Sequence, residues 1–394
     1  MQNNFLIKKQ NLIFLSIYFL TFVSFVFYYF SSDLRNLTLF NDGYILGNDS
    51  VVYVNSALKL LNGNFLDQDR YTTISYSLFL ASLMYFKLSL SHIIVVQIFM
   101  SLIAGYCLFK ILEKVFTKSS GYICMTLFLI YMPLQKWNLY ILTDGFCTNF
   151  YIYTVYLIVF FEKKFTHICL VIFTIIILFF SRGHGILILP SLIMARFLYQ
   201  LKKGRIKGVF IELIPVLISL IIFLYFIGNK PESSQMLKIL FNKWERNEWG
   251  IIFGYTMDID REILNKFYFP ENLQYSIIDY FNIIKLNFFE YSKLFFLKIF
   301  YCLMRIRPFF SNTHNFYLLF FDIIFYIPFL FGFLKLKKFY FYKYLIFSII
   351  FINLFFVGIT FVDWDSRFSI YFLPLLMVFS SIGIDNKFTR TKLS

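Results

Sequence analysis

Charge is scarce in this chain. Only 15% of its 394 residues are Asp, Glu, Lys or Arg, against about 25% in an ordinary soluble protein. Hydrophobic residues make up 59%, more apolar surface than a soluble domain of this length could cover. Cysteine is scarce too. There are five, an odd number, and no Cys-x-x-Cys pair. That speaks against a disulfide framework or a zinc site, and the cysteines read as small buried hydrophobes. Intrinsic disorder needs a shortage of aromatics, whereas 23% of this chain is Phe, Trp or Tyr. What remains is an all-α, polytopic transmembrane helix bundle.

A spanning helix needs about 20 mostly apolar residues. On that measure there are about ten spans, near 11–30, 91–109, 121–134, 141–161, 166–180, 185–201, 209–228, 316–334, 344–361 and 368–384. The first follows Lys8 and Lys9 and begins like a signal peptide. It closes on Tyr28, Tyr29 and Phe30 instead of a small-residue cleavage site, so it reads as a retained span. Residues 1–394 then form a single transmembrane domain with two large outer segments, 31–73 and 229–315.

Lys and Arg number 37, against 22 Asp and Glu. In a soluble protein this excess would point to nucleic acid. Here the basic residues sort by loop: eighteen share the side of the N-terminus and seven fall in the short segments opposite. Basic loops stay in the cytoplasm. The sequence therefore reads as a multi-pass protein of a bacterial cytoplasmic membrane, N-in and C-in, partnered by the lipid bilayer and by no nucleic acid.

Three apolar stretches are not counted as spans. Residues 291–304 are interrupted by Lys293 and Lys298, and read as an interfacial amphipathic helix on the outer face. Residues 76–86 are too few to cross. Residues 49–61 carry Val52, Tyr53, Ala57, Leu60 and Leu61 near helical spacing, and read as a short helix lying along the membrane.

Ionisable residues near membrane depth are costly, and they mark function more often than structure. On this topology Asp49, Asp144, Arg182, His184 and Arg367 come from distant segments and share the outer side. A carboxylate can take a proton from a hydroxyl, and guanidiniums bind phosphate bidentately. Structural readings stand beside these. Asp49 and Asp144 could be helix N-caps, Arg182 a snorkeller, His184 a turn residue, Arg367 a clamp on Asp365 and Tyr53 part of an apolar face. Asp363 and Asp365, in D-x-D spacing, are weak evidence for a divalent metal. No resident cofactor is expected.

The order of these segments resembles the GT-C class of integral membrane glycosyltransferases. Those are the polyprenyl-phosphate-sugar-dependent enzymes, protein mannosyltransferase-like and aminoarabinose-transferase-like. Asp49-Ser50-Val51-Val52-Tyr53 followed by Ala57, Leu60, Leu61 and Gly63 is similar to their first outer loop. Tyr76-Ser77-Leu78-Phe79-Leu80-Ala81 resembles their next stretch, with Ile74 and Ser77 where prolines usually stand. Thr143-Asp144, Ser181-Arg182-Gly183-His184-Gly185 and Arg367-Phe368 with Pro374 match in order. Ser50 stands where some members carry a second acid.

The resemblance implies that Asp49 is the catalytic base. Tyr53, Asp144, Arg182, His184 and Arg367 would bind substrate, with the two arginines on the lipid phosphate. It implies an inverting transfer of a sugar from a polyprenyl-phosphate donor to a glycan, lipid or protein acceptor at the outer face. A transporter or flippase for lipid-linked sugars, an O-antigen-type polymerase and a non-catalytic scaffold remain as alternatives. The absence of a repeat between the two halves speaks against the first. The absence of a large domain after the last span speaks against whole-glycan transfer to asparagine.

Overall fold

The computed structural model describes residues 16–21, 23, 48–64, 73–205, 266, 268, 277–306, 311–336, 340–359 and 367–385, with backbone alone at 48, 49, 277–280 and 340. Among the described residues all regular structure is helical. The helices are α1 (Asn48–Leu61), α2 (Ile74–Tyr85), α3 (Leu90–Val115), α4 (Lys118–Ile130), the single turn α5 (Met132–Gln135), α6 (Thr143–Val159), α7 (Phe165–Phe179), α8 (Ile188–Lys202), α9 (Ile277–Leu286), α10 (Phe288–Leu303), α11 (Asn312–Lys335), α12 (Tyr340–Ile359) and α13 (Leu373–Ile384). Among the described residues four stretches are long and apolar enough to cross a membrane: α3, Gly183–Lys202, α11 and Phe341–Ile359. The expected spans at 11–30 and 209–228 lie largely or wholly outside the described residues.

Several helices are shorter than the apolar runs that announced them, and proline is one cause. Pro133 has no N–H to continue a helix, so α4 stops at Ile130, Tyr131 turns extended and α5 restarts the chain. Pro374 opens α13, which leaves Ser369–Tyr371 as a 3-10 turn before it. The run at 166–180 breaks where Arg182 takes an extended conformation. The short stretches at 49–61 and 76–86 are the helices α1 and α2, as their spacing and length required.

The chain divides into two compact units. One comprises Met1–Pro190, Ile324–Ile346 and Ile370–Ser394, and the other Ser191–Ile323 and Phe347–Ser369. In the first, the 26-residue α3 packs against both α4 and α6, α1 packs on α2, and α7 on α6. Most of α7 faces outward although it is apolar all round: Phe165, Leu170, Ile172, Phe173 and Ile176 are exposed. That is the surface a helix presents to hydrocarbon. Four of the five cysteines are buried, and Cys169 on α7 is exposed.

Small residues let backbones in this unit touch. A Cβ on Gly332 of α11 would lie 1.8 Å from the Phe379 carbonyl oxygen, and one on Gly383 of α13 would lie 1.9 Å from that of Pro328. Between them Ser380 donates to the Phe325 carbonyl at 2.6 Å. In lipid no hydrophobic force draws helices together, so this close packing and its hydrogen bond supply the attraction. Asp385 closes the end of α13 by accepting from Thr117 and, at 2.8 Å, from Ser120 at the start of α4.

In the second unit α9 and α10 are joined at Asn287, whose side chain both accepts from and donates to the Tyr268 backbone. Tyr291 on α10 donates to the Ile359 carbonyl at 3.3 Å, and Phe295 packs on Phe355 with centroids 5.7 Å apart. Just past α10, Arg305 pairs with Asp322 on α11, and both are buried.

Candidate functional site

Asp144 lies in the first turn of α6, whose N-cap is Leu142, so its carboxylate is not the cap. It still favours the positive end of the helix dipole. The residue is fully buried. A carboxylate there must be paired, and Arg182 does this: Nη1 lies 2.5 Å from Oδ2, and also donates to the Thr143 hydroxyl at 3.2 Å. Tyr371, the last residue of the 3-10 turn that leads into α13, donates to Oδ1 at 2.8 Å. The Arg182 side chain keeps 17% of its surface exposed while its Nη1 is anchored on the buried carboxylate.

Arg182 reaches Asp144 because its backbone is extended and the chain then tightens into the 3-10 turn Gly183–Leu187, closed by Gly185 N–H donating to the Arg182 carbonyl at 2.8 Å. A Cβ on Gly185 would fall 1.7 Å from the Leu178 carbonyl oxygen, whereas one on Gly183 would meet nothing within 4 Å. Gly185→Ala is therefore expected to push the turn off α7 and cost about 1–3 kcal/mol or more. Gly183→Ala is expected to change stability by no more than about 0.5 kcal/mol. Thermal melting of the two variants in detergent separates them; equal melting would refute the close approach.

His184 is buried, and its ring stacks on Tyr371 at 4.8 Å with an interplanar angle of 24°. Its carbonyl accepts from the Tyr151 hydroxyl at 2.5 Å. The Arg182 guanidinium stands 6.0 Å from the Tyr371 ring centre, within cation–π range. Tyr371 thus braces the carboxylate, the imidazole and the guanidinium at once.

Tyr53 on α1 is buried and packs edge-on against Tyr76 of α2 at 5.4 Å; Tyr76 in turn packs on Phe146, two residues past Asp144, at 5.4 Å. The Ser75 N–H donates to the Phe180 carbonyl at 3.0 Å, which fixes the start of α2 beside the Arg182 turn. Tyr76 belongs to a helix too short to span. Burial, then the Tyr53 and Asp144 charges, holds its phenol well above the ordinary range. It stays neutral and donates to Gln97 Oε1 at 2.7 Å.

Of the residues singled out from sequence, Asp144 and Arg182 meet directly, His184 joins them through Tyr371, and Tyr53 through Tyr76 and Phe146. Asp49 is one helical turn before Tyr53 on α1; its side chain lies outside the described residues. Arg367 is buried and belongs to the second unit. Asp363 and Asp365 lie outside the described residues, among which no cluster of three or more His, Cys, Asp or Glu could hold a metal.

Two features escaped sequence reasoning. One is Tyr371. The other is a buried amide network behind the site. Gln97 donates to the carbonyls of Asn138 and Tyr140 at 3.1 and 2.8 Å. Gln135 donates to the Phe128 carbonyl at 2.8 Å, and its Oε1 accepts from Ser101 at 2.7 Å and Asn138 at 3.1 Å. Asn149 donates to Asn138 Oδ1 at 3.2 Å. These bonds satisfy the irregular backbone between α4 and α6, which could not persist unpaired in an apolar setting. The available signal was Gln97 and Ser101 inside an otherwise apolar run.

No protein-family model, curated protein or solved structure matches this chain.

Proposed function

We propose that this chain is a membrane glycosyltransferase of the GT-C class, with about ten spans, that moves a sugar from a polyprenyl-phosphate donor to an acceptor at the outer face. One observation supports this reading above the rest. A partly exposed guanidinium is anchored on a fully buried carboxylate, and aromatic contacts tie that pair to the short helix carrying Asp49 and Tyr53.

In the proposed reaction Asp49 takes the proton of the acceptor hydroxyl. The hydroxyl oxygen attacks the anomeric carbon, the bond from that carbon to the phosphate oxygen breaks, and its electron pair leaves with the phosphate. The sugar's configuration inverts. Phosphate is a weak base, so it needs charge neutralisation more than protonation. Arg182 supplies a fixed positive charge. Asp144, Tyr371 and Thr143 are positioning residues that hold the guanidinium.

The reading is tested by giving a radiolabelled polyprenyl-phosphate sugar to membranes with and without this chain. The label should pass to an acceptor in the first and accumulate on the lipid in the second. Equal consumption in both sinks the proposal. Movement of intact donor across the bilayer, with the sugar–phosphate bond unbroken, would favour the flippase.

A further inference from the structure

Helix α10 shows an apolar aromatic stripe outward and buries the charge of Lys298, as Arg305 is buried just past its end. Phe289, Phe296 and Phe300 lie along one stripe and are 74%, 67% and 51% exposed, whereas Lys298 is 4% and Arg305 2% exposed. Lys293 is exposed near the start of the helix, where a long cation can snorkel to the headgroups.

Its contacts give a direction. Tyr291 meets Ile359, the last residue of α12, and Phe295, one turn on, meets Phe355, one turn back. Gly358 admits the Phe295 ring, since a Cβ there would lie 2.4 Å from it. The two helices therefore step alongside each other in opposite senses. α12 is long and apolar enough to cross the membrane, so α10 descends beside it from the same face.

The far end gives a depth. Arg305 lies fourteen residues beyond Tyr291, about 21 Å at helical rise. Its partner Asp322 is ten residues into α11, about 15 Å from that helix's start. The midplane of a hydrocarbon core about 30 Å thick lies about 15 Å down, so both figures place the pair inside the core and short of the far face. α11 and α12 are each long and apolar enough to cross, and only four residues separate them, so Asn312 belongs to the face of Ile359 and α10 does not cross.

We propose that α10 is a re-entrant helix that enters the bilayer from the face where α12 ends and α11 begins. It shows its Phe289–Phe296–Phe300 stripe to lipid acyl chains and is pinned at mid-depth by the Arg305–Asp322 pair. This replaces the interfacial helix expected over 291–304. An ion pair away from water is retained where it fixes one arrangement against others, and here it fixes how deep the helix goes.

The test uses the full chain with exposed Cys169 replaced by Ser, reconstituted in phosphatidylcholine vesicles. Nitroxide labels are attached at Phe289→Cys, Phe296→Cys, Phe300→Cys and Met304→Cys. Collision with an aqueous nickel chelate should fall about tenfold from 289 to 304, while collision with oxygen, which concentrates in hydrocarbon, should rise. A flat profile would mean an interfacial helix, and a recovery of aqueous access at 304 would mean a full crossing; either overturns the proposal. The anchor is tested separately. Arg305→Asp or Asp322→Arg alone should lower the folded yield several-fold, and the double exchange should restore most of it. A double variant no better than the singles removes the anchor.

Discussion

Asp49→Asn should leave the protein in the membrane at its ordinary level and cut sugar transfer by about 10²–10⁴-fold, the usual contribution of a positioned general base. Asn matches Asp in size but cannot take up a proton. The helix itself is held elsewhere. Tyr53 packs against Tyr76 and Ala57 is fully buried, so α1 keeps its place when the first turn changes. A purely structural Asp49, acting on the helix dipole or as a cap, would lose about 1 kcal/mol or less and keep its activity. Transfer assays on membranes with matched protein content distinguish the two. Full activity in Asp49→Asn removes the base assignment.

Asp144→Ala should be among the most disruptive single changes in the first unit, at about 3–5 kcal/mol. It strips a fully buried carboxylate from Arg182 and removes the acceptor of Tyr371. The guanidinium then loses its fixed position, and transfer falls with it. The second variant separates anchoring from chemistry. Asp144→Leu together with Arg182→Leu removes both charges and should regain much of the lost melting temperature, because no unpaired ion is left inside. It should not regain transfer. Recovery of both would mean that the pair serves stability alone and that the phosphate is neutralised elsewhere.

The stability effect expected at Asp144 and the catalytic effect proposed for Asp49 arise from different parts of the sequence, and they were legible to different degrees. Asp49 and Tyr53, four apart before an Ala, a Leu pair and a Gly, mark a short helix, and α1 has those bounds within a residue. Asp144 read equally well as a cap or a ligand. Its role depends on Tyr371 and Arg182, 227 and 38 residues away in the chain. No periodicity records such a pairing, because a charge pair across helices has no fixed spacing. The amide network was hidden for a related reason: Gln97 inside an apolar run signals that a partner exists without saying which carbonyl it reaches. At 291–304 the basic residues argued for the interface because a charge on the surface of a lone helix is costly in lipid. Tertiary pairing with Asp322 answers that cost for Arg305.

Composition alone determined that this chain is apolar beyond what water tolerates, since the cost of exposing that surface depends on residue type and hardly on arrangement. Proline and glycine positions further fixed where several helices start and stop, because those restraints act within one turn. Which charges lie together, how Arg182 is held and where α10 points were decided only by packing. Those outcomes depend on the distance between side chains that the chain order keeps far apart.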